Sequence, residues 1–246
     1  MRTKFLLLTA AFGLTSALAL GQVSIDTENF NYFDAFTGFQ GTADPTNWET
    51  SDAGGNDSSV WQGTGTGSGT AGGKWSYGDT GTGATFDGSL GFLPSGNRAI
   101  NADIIFENNT GFEIISFEIS YLAEHWRSAN GGRLNGWAVS YNIDGGSYTA
   151  LNDLTYVASN TNATGINPSG GTWESMFLSQ SITGLSIPDG STIGIRFFGD
   201  NGSSTGSRQG VAIDDFSFSA TAIPEPGTLA LVGLFGLTVY AFRKRK

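Results

Sequence analysis

The sequence predicts an all-β fold, an antiparallel sandwich or barrel, for the body of the chain. Three observations carry that expectation. Glycine is abundant, with 37 in 246 residues, which suits tight turns between short elements. Apolar and polar residues alternate in short runs, the period of a strand that buries one face. Amphipathic helical periodicity is nearly absent from the body, and no convincing helix is found there.

Asn29 to Gln40 reads as an opening strand and its turn. It is crowded with Phe30, Tyr32, Phe33, Phe36 and Phe39 and is followed by Pro45 and Trp48, a density of rings that points to core. Gly54 to Gly91 is a Gly/Thr/Ser run anchored by Trp61, Trp75 and Tyr77. It reads as long loops joining short strands, and Gly63 to Gly73 shows no regular pattern. Ile100 to Phe106 is a strand, and the Asn108-Asn109-Thr110-Gly111 turn leads into a long one, in which Phe117, Ile119 and Tyr121 face one way and Glu118 and Ser120 the other. Trp137, Val139, Tyr141 and Ile143 repeat that alternation before Asp144-Gly145-Gly146. Asp-Gly supplies the positive φ angles of a tight hairpin, so Ser147 to Leu151 is expected to fold back alongside. Asn152 to Gly171 is mostly polar and irregular, with weaker strands at Trp173 to Leu178 and Ile182 to Ile187. Ile193, Ile195 and Phe197 form a clear strand face. In the last strand Val211 and Ile213 occupy one phase and Phe216 and Phe218 the other. That switch predicts a bulge at Asp214-Asp215, which would re-aim a carboxylate.

The two ends of the chain read as addresses. Arg2 and Lys4 precede an apolar run from Phe5 to Leu20, and Ala19-Leu20-Gly21 suits a signal peptidase, so residues 1–21 read as a signal peptide with Gln22 as the first mature residue. At the other end Pro224, Glu225 and Pro226 precede an uncharged stretch from Gly227 to Phe242, closed by Arg243, Lys244, Arg245 and Lys246. As a helix that stretch measures roughly 24 Å, marginal against a hydrocarbon core of about 30 Å. The terminal cations would stay on the cytoplasmic side and leave the body outside. The run PEPGTLALVGLFGLTVYAFRKRK resembles the PEP-CTERM sorting tail of Gram-negative bacteria. The resemblance implies recognition and removal by an exosortase-type membrane enzyme, after a membrane-anchored intermediate, with the body delivered to the envelope or extracellular matrix.

Between these addresses lies one domain, Gln22 to Ala222. It keeps six basic and 21 acidic residues, a formal charge of −15. Such a surface repels nucleic acid and anionic lipid and suits divalent cations. With no cysteine, neither disulfides nor a thiolate metal site can hold an exported domain together. The segments FENNTGFEIISFEISYLAEHWR, GWAVSYNIDGGSY and GVAIDDFSFSA resemble a jelly-roll-type module of secreted bacterial proteins, found beside extracellular nuclease domains and with this same sorting tail. The resemblance implies a jelly-roll-like sandwich and an extracellular setting. It also departs from that module's pattern, since Gly199-Asp200-Asn201-Gly202 carries fewer acidic residues before the last strand than the module does.

Asp214 and Asp215 are the best candidates for a ligand site. With Asp200 and loop carbonyls they offer the hard oxygens that calcium takes at about 2.3 to 2.6 Å. The plainer alternative has one aspartate capping a turn or pairing with Arg196 or Arg208, and the other in water. Glu118, Glu124 and Glu174 are the carboxylates on which a glycosidase would draw, and Glu124 with Arg127 also reads as an ion pair beside Trp126. His125 is the only histidine, which excludes a multi-His metal site; it reads as satisfied or solvated. Gly202 to Gly206 matches Gly-X-Ser-X-Gly, and Gly67 to Gly72 matches Gly-X-Gly-X-X-Gly, but neither precedes a helix and both read as chance. Most tryptophans belong to core; Trp126, at a strand end beside charged residues, is the candidate for stacking on a sugar.

The resulting expectation is an exported, non-catalytic envelope or matrix protein, adhesive or polysaccharide-binding, with calcium as its candidate cofactor. Its partners would be an exosortase-type enzyme, an extracellular polysaccharide and, before processing, the inner membrane. The alternative is a secreted polysaccharide hydrolase, which needs two carboxylates within about 10 Å across an open groove.

Overall fold

The computed structural model describes residues 22–54, 60–79, 81–94, 99–129, 135–159, 161–199 and 208–223. The signal segment, Asp200, the Gly202 to Gly206 motif, and the tail with Pro224, Glu225 and Pro226 lie outside them. Strands dominate: β1 (Gln22–Asp26), β2 (Asn31–Asp34), β3 (Trp48–Gly54), β4 (Trp61–Gly65), β5 (Gly73–Tyr77), β6 (Ser89–Leu93) and β7 (Ala99–Asn109) in the first half. Then come β8 (Glu113–Arg127), β9 (Gly136–Ile143), β10 (Thr149–Val157), β11 (Glu174–Ile187), β12 (Thr192–Gly199) and β13 (Gly210–Ile223). A single 3₁₀ turn, Gly83–Thr85, is the only helical element among the described residues, and no helix there is long and apolar enough to cross a membrane.

Two sheets face each other. One runs β1-β7-β12-β9-β10, with β3 beside β7; the other runs β11-β8-β13-β6-β5-β4, with β2 beside β13. From β6 to β9, and again from β11 to β13, the chain crosses to the opposite sheet at each step, the alternation of a jelly-roll-like sandwich. Among the described residues pairing is antiparallel except at two places, β1 with β7 and β4 with β5. β1 is an edge strand that the sequence pattern did not disclose. It pairs with residues 105–109 of β7, where β3, paired with residues 99–104, leaves that strand's edge open.

The strands expected from alternation form where expected. Phe117, Ile119 and Tyr121 of β8 point into the core, as do Ile193, Ile195 and Phe197 of β12. The Asp144-Gly145 turn has φ of 49° and 67° and returns the chain into β10. Two expectations are corrected. The irregular stretch begins later than Asn152, because Leu154 and Tyr156 still alternate into the core and carry β10 to Val157. The two weak strands after Trp173 are one strand, β11, since its backbone follows β8 across the polar residues between them.

Rings fill the space between the sheets. Phe216 is fully buried, with its centroid 5.1 Å from Trp48, 5.9 Å from Phe197, 6.2 Å from Tyr32 and 6.4 Å from Phe106. The predicted bulge puts it there. Asp215 has φ of 46°, pairing with β8 slips between Asp214 and Ser217, and all four residues Val211, Ile213, Phe216 and Phe218 reach the core despite the change of phase.

Beside the main core, Lys74 is 4% exposed. Its ammonium lies 3.3 Å from Asp44 and 2.6 Å from the Thr50 hydroxyl, over the Trp61 ring at 4.7 Å. Asp44 also accepts from the Trp61 indole and from the Thr50 hydroxyl and amide; these partners hold its carboxyl below the usual range against the opposing effect of burial. Asp44→Ala leaves a buried ammonium without its counter-charge and is expected to cost about 2 kcal/mol in urea denaturation. An unchanged midpoint would mean that water reaches Lys74.

Candidate functional site

Outward-facing residues of the second sheet gather the carboxylates. On β8, Glu124 and Trp126 point away from the core; on β13, Ala212 sits opposite Glu124, and Asp214 is the next residue outward. Glu124, Asp214, Asp79, Asp87, Trp126 and Thr172 line a cavity of about 180 Å³. Glu124 is buried, and the Trp126 indole donates to it at 2.7 Å. Burial above all, then the charges of Asp87 and Asp215, push its carboxyl above the usual range. Asp214 is pushed further, to about 8, by burial first and the Glu124 charge second, while the Asp215 amide donating to its Oδ1 at 2.8 Å opposes the shift.

The expected site residues therefore separate. Asp214 shares its cavity with Glu124, Asp79 and Asp87, whereas Asp215 is exposed and acts through its left-handed backbone. Among the described residues no three of His, Cys, Asp and Glu are grouped so as to hold a metal ion. Arg196 pairs with Asp103 and not with either aspartate of the bulge. Nor do the three glutamates converge: Glu118 accepts from Ser179 and Ser181 on the outer face of the second sheet, while Glu174 accepts from the Tyr156 hydroxyl. His125 is buried, with Nε2 2.8 Å from the Arg127 carbonyl and 2.9 Å from Gln209 Oε1. Two acceptors at one nitrogen place the proton on Nε2, and burial lowers the ring's pKa.

Trp126 is corrected as a sugar platform, because its ring is enclosed. It is 5% exposed and stacks on Tyr77 at 6.1 Å; Tyr77 in turn stacks on Trp75 at 5.9 Å. The three rings form a small second core on the outer face of the sheet, and a Cβ on Gly91 beneath them would lie 2.3 Å from the Tyr77 ring. The Gly-rich stretch is their roof. A Cβ on Gly69 would meet Trp75 at 2.3 Å, and Gly67, with φ of 82°, would meet the Trp126 carbonyl at 2.4 Å. Arg127 ties the roof down through the carbonyls of Gly67 and Ser68, so it is not the partner of Glu124. Glycine here is a packing requirement, which composition alone presents as a loop.

A second surface, on the outer face of the first sheet, was not foreseen. Strand pairing sets Glu49, Asp103, Arg196 and Ser140 in one row across β3, β7, β12 and β9. The adjacent row is Gln22, Ile105, Gly194 and Asn142. Arg196 forks onto Asp103, with Nε to Oδ1 and Nη2 to Oδ2 both at 2.8 Å, which fixes the guanidinium plane and holds its pKa above the ordinary value. The Tyr148 ring covers that plane, 4.3 Å from Cζ. Gly194 leaves a gap in the second row where a Cβ would sit 2.4 Å from Asn142 Oδ1. The result is a groove of about 260 Å³ with one ring, a fixed charge pair, amides and an exposed carboxylate along its walls. Asp103 and Arg196 are 93 residues apart in the chain, so no spacing signal announces them.

Residues 222–246 match the family model of the PEP-CTERM protein-sorting motif. No curated protein matches the chain. Among solved structures, the chain is similar to TmCBM61 in complex with β-1,4-galactotriose: 11% identity, 71% of this chain and 88% of that one, TM-score 0.37. It is similar also to a cleaved adhesin domain of Lys-gingipain from Porphyromonas gingivalis, at 13% identity over 71% and 92% of the two chains with a TM-score of 0.40. The N-terminal cellulose-binding domain of a Cellulomonas fimi β-1,4-glucanase matches at 12% identity over 56% and 82%, TM-score 0.31.

Proposed function

We propose that the body is a non-catalytic polysaccharide-binding module, exported and sorted by its C-terminal motif, that takes a neutral glycan chain in the groove around Tyr148. The sorting motif at 222–246 supports export, passage through a membrane-anchored form and handling by an exosortase-type enzyme. The observation that carries the binding reading is the Tyr148 ring, 39% exposed and held over a guanidinium already engaged by Asp103. An exposed ring fixed at low entropic cost stacks on the C–H face of a pyranose. Beside it, Asn142, Asp103 and Glu49 offer acceptors and donors to ring hydroxyls. Neutrality follows from charge: Glu49, Asp103 and Arg196 sum to −1, on a body of −15, so uronates and sulfated sugars are repelled.

Tyr148→Ala is expected to weaken binding of neutral oligosaccharides at least tenfold by calorimetry, with the circular dichroism spectrum unchanged, and uronate-rich chains should bind more weakly than neutral ones. Equal affinity of variant and wild type would remove the groove from consideration. One observation favours a hydrolytic alternative: Glu124 and Asp214 share a cavity and both resist ionisation, as a general acid does. Release of reducing ends that Glu124→Gln abolishes would replace the non-catalytic reading.

A further inference from the structure

On the opposite side of the sandwich from the groove, the outer face of the second sheet below the aromatic stack is a regular field of hydroxyls. Strand pairing sets Phe33, Ser217, Ser120 and Ser179 in one row across β2, β13, β8 and β11. The next row is Asn31, Ser219, Glu118 and Ser181. Between the rows, Ile119 on β8 and Phe218 on β13 are buried core and Tyr32 on β2 packs against it, while on β11 the intervening residue is the half-buried Gln180; the serines and Glu118 take the opposite, outer face. Neighbours within a row are about 4.8 Å apart and the rows about 6.8 Å apart, the spacings of strands and of alternate residues. The one charge in these rows, Glu118, is occupied by Ser179 at 2.7 Å and Ser181 at 3.3 Å.

Exposed rings stand on the two flanking strands. Phe33 on β2 is 62% exposed, and Phe177 on β11, whose register partner is Leu122, is 66% exposed. They are three strand spacings apart across the sheet and one row apart along it, about 16 Å in all. A lone exposed phenylalanine needs no explanation, but here two rings bracket an open, almost uncharged lattice on a body of charge −15. Such a lattice has little attraction for an ion, and its serines line neither the groove at Tyr148 nor the cavity at Asp214. It matches a broad ligand that repeats hydroxyls and C–H faces at similar intervals.

We propose that this face is a second docking surface, for uncharged polysaccharide chains presented side by side in an insoluble matrix. The class of ligand rests on the polysaccharide-binding reading; the surface itself is independent of the groove. Phe33 and Phe177 stack on sugar rings at the two edges, and the serines between them bond to hydroxyls. With the groove on the other sheet, each molecule then holds two chains at once, so that it cross-links the matrix and gains avidity from simultaneous engagement.

The test uses the full-length chain, retention on insoluble cellulose, xylan and galactan, and calorimetry with the matching soluble oligosaccharides. The double variant Phe33→Ala/Phe177→Ala is expected to lose retention on an insoluble polymer at least fivefold while soluble binding is unchanged. Tyr148→Ala is expected to do the reverse, and Ser120→Lys, a charge in the middle of the lattice, to copy the double variant. Retention lost in the double variant with no soluble binding by the wild type would keep this face and reject the groove. Retention lost only in Tyr148→Ala, or no retention of the wild type on any of these polymers, would overturn the proposal. So would a wild-type dimer, seen by sedimentation, that the double variant dissociates, because the face would then belong to a second copy.

Discussion

Between pH 5 and pH 8 the melting temperature is expected to fall, and Asp214→Asn is expected to remove most of that fall. The folded chain holds the Asp214 proton up to a pKa of about 8, against an ordinary value of 3.8, because its carboxyl is buried beside Glu124. An unfolded chain releases that proton near pH 4. Below pH 4 the group is protonated in both states and contributes no pH dependence. From there to pH 8 the folded state binds the extra proton, so stability declines as pH rises, and above pH 8 the decline stops. A shift of this size corresponds to about 6 kcal/mol at face value; with screening by the water that reaches a partly buried side chain, about 2 to 4 kcal/mol is the expected loss. For a domain of this length that is on the order of 5–10 °C.

Glu124, also raised, adds in the same direction. His125 opposes them: burial lowers its pKa, so its contribution is present above the unfolded value near 6.5 and is lost as the pH falls. An optimum on the acid side of neutrality follows. Melting curves of wild type and Asp214→Asn at both pH values, in chelator, decide the matter; the same change between pH 5 and pH 8 in wild type and in Asp214→Asn would show that Asp214 ionises normally. Calcium added at pH 8 is a separate arm. Stabilisation by the ion in the wild type but not in Asp214→Asn would mark the cavity as a cation site in which a metal replaces the proton.

Deleting Asp215 alone is expected to prevent the domain from folding, whereas Asp215→Gly is expected to leave it nearly as stable as the wild type. The aspartate occupies a φ of 46°, which glycine adopts without strain and an aspartate tolerates. Its function is to add one residue. Without that residue the strand has period two throughout, and either Val211 and Ile213 or Phe216 and Phe218 must turn to solvent. Phe216 alone packs against Tyr32, Trp48, Phe106 and Phe197. Losing two such rings costs several kcal/mol each, comparable with the whole stability of a domain. Soluble expression and a cooperative melt for the deletion variant would show that β13 can re-register, contrary to this expectation.

The bulge marks how far sequence reaches. Its position was legible because two apolar pairs on either side of Asp214-Asp215 fall in opposite phases, and phase is local. The Asp144-Gly145 hairpin was legible for the same reason, since its φ angles belong to two residues. Trp126 was misjudged because a strand end beside charged residues looks open; what closes it is Tyr77 from one distant strand and Gly67 from a loop. β1 was missed because a five-residue edge strand that pairs on one side only needs little alternation.

Sequence by itself determined the all-β body, most of its strands, the bulge, the acidic surface and the sorting motif, all of which rest on local period, turn chemistry or composition. Tertiary structure alone decided which side chains share a surface. Asp103, Arg196 and Tyr148 meet, Glu124 raises the pKa of Asp214, and the serines of three strands fall into rows, only because strand order sets distant segments about 4.8 Å apart. Strand order depends on the joint packing of both sheets, which no single stretch of sequence contains.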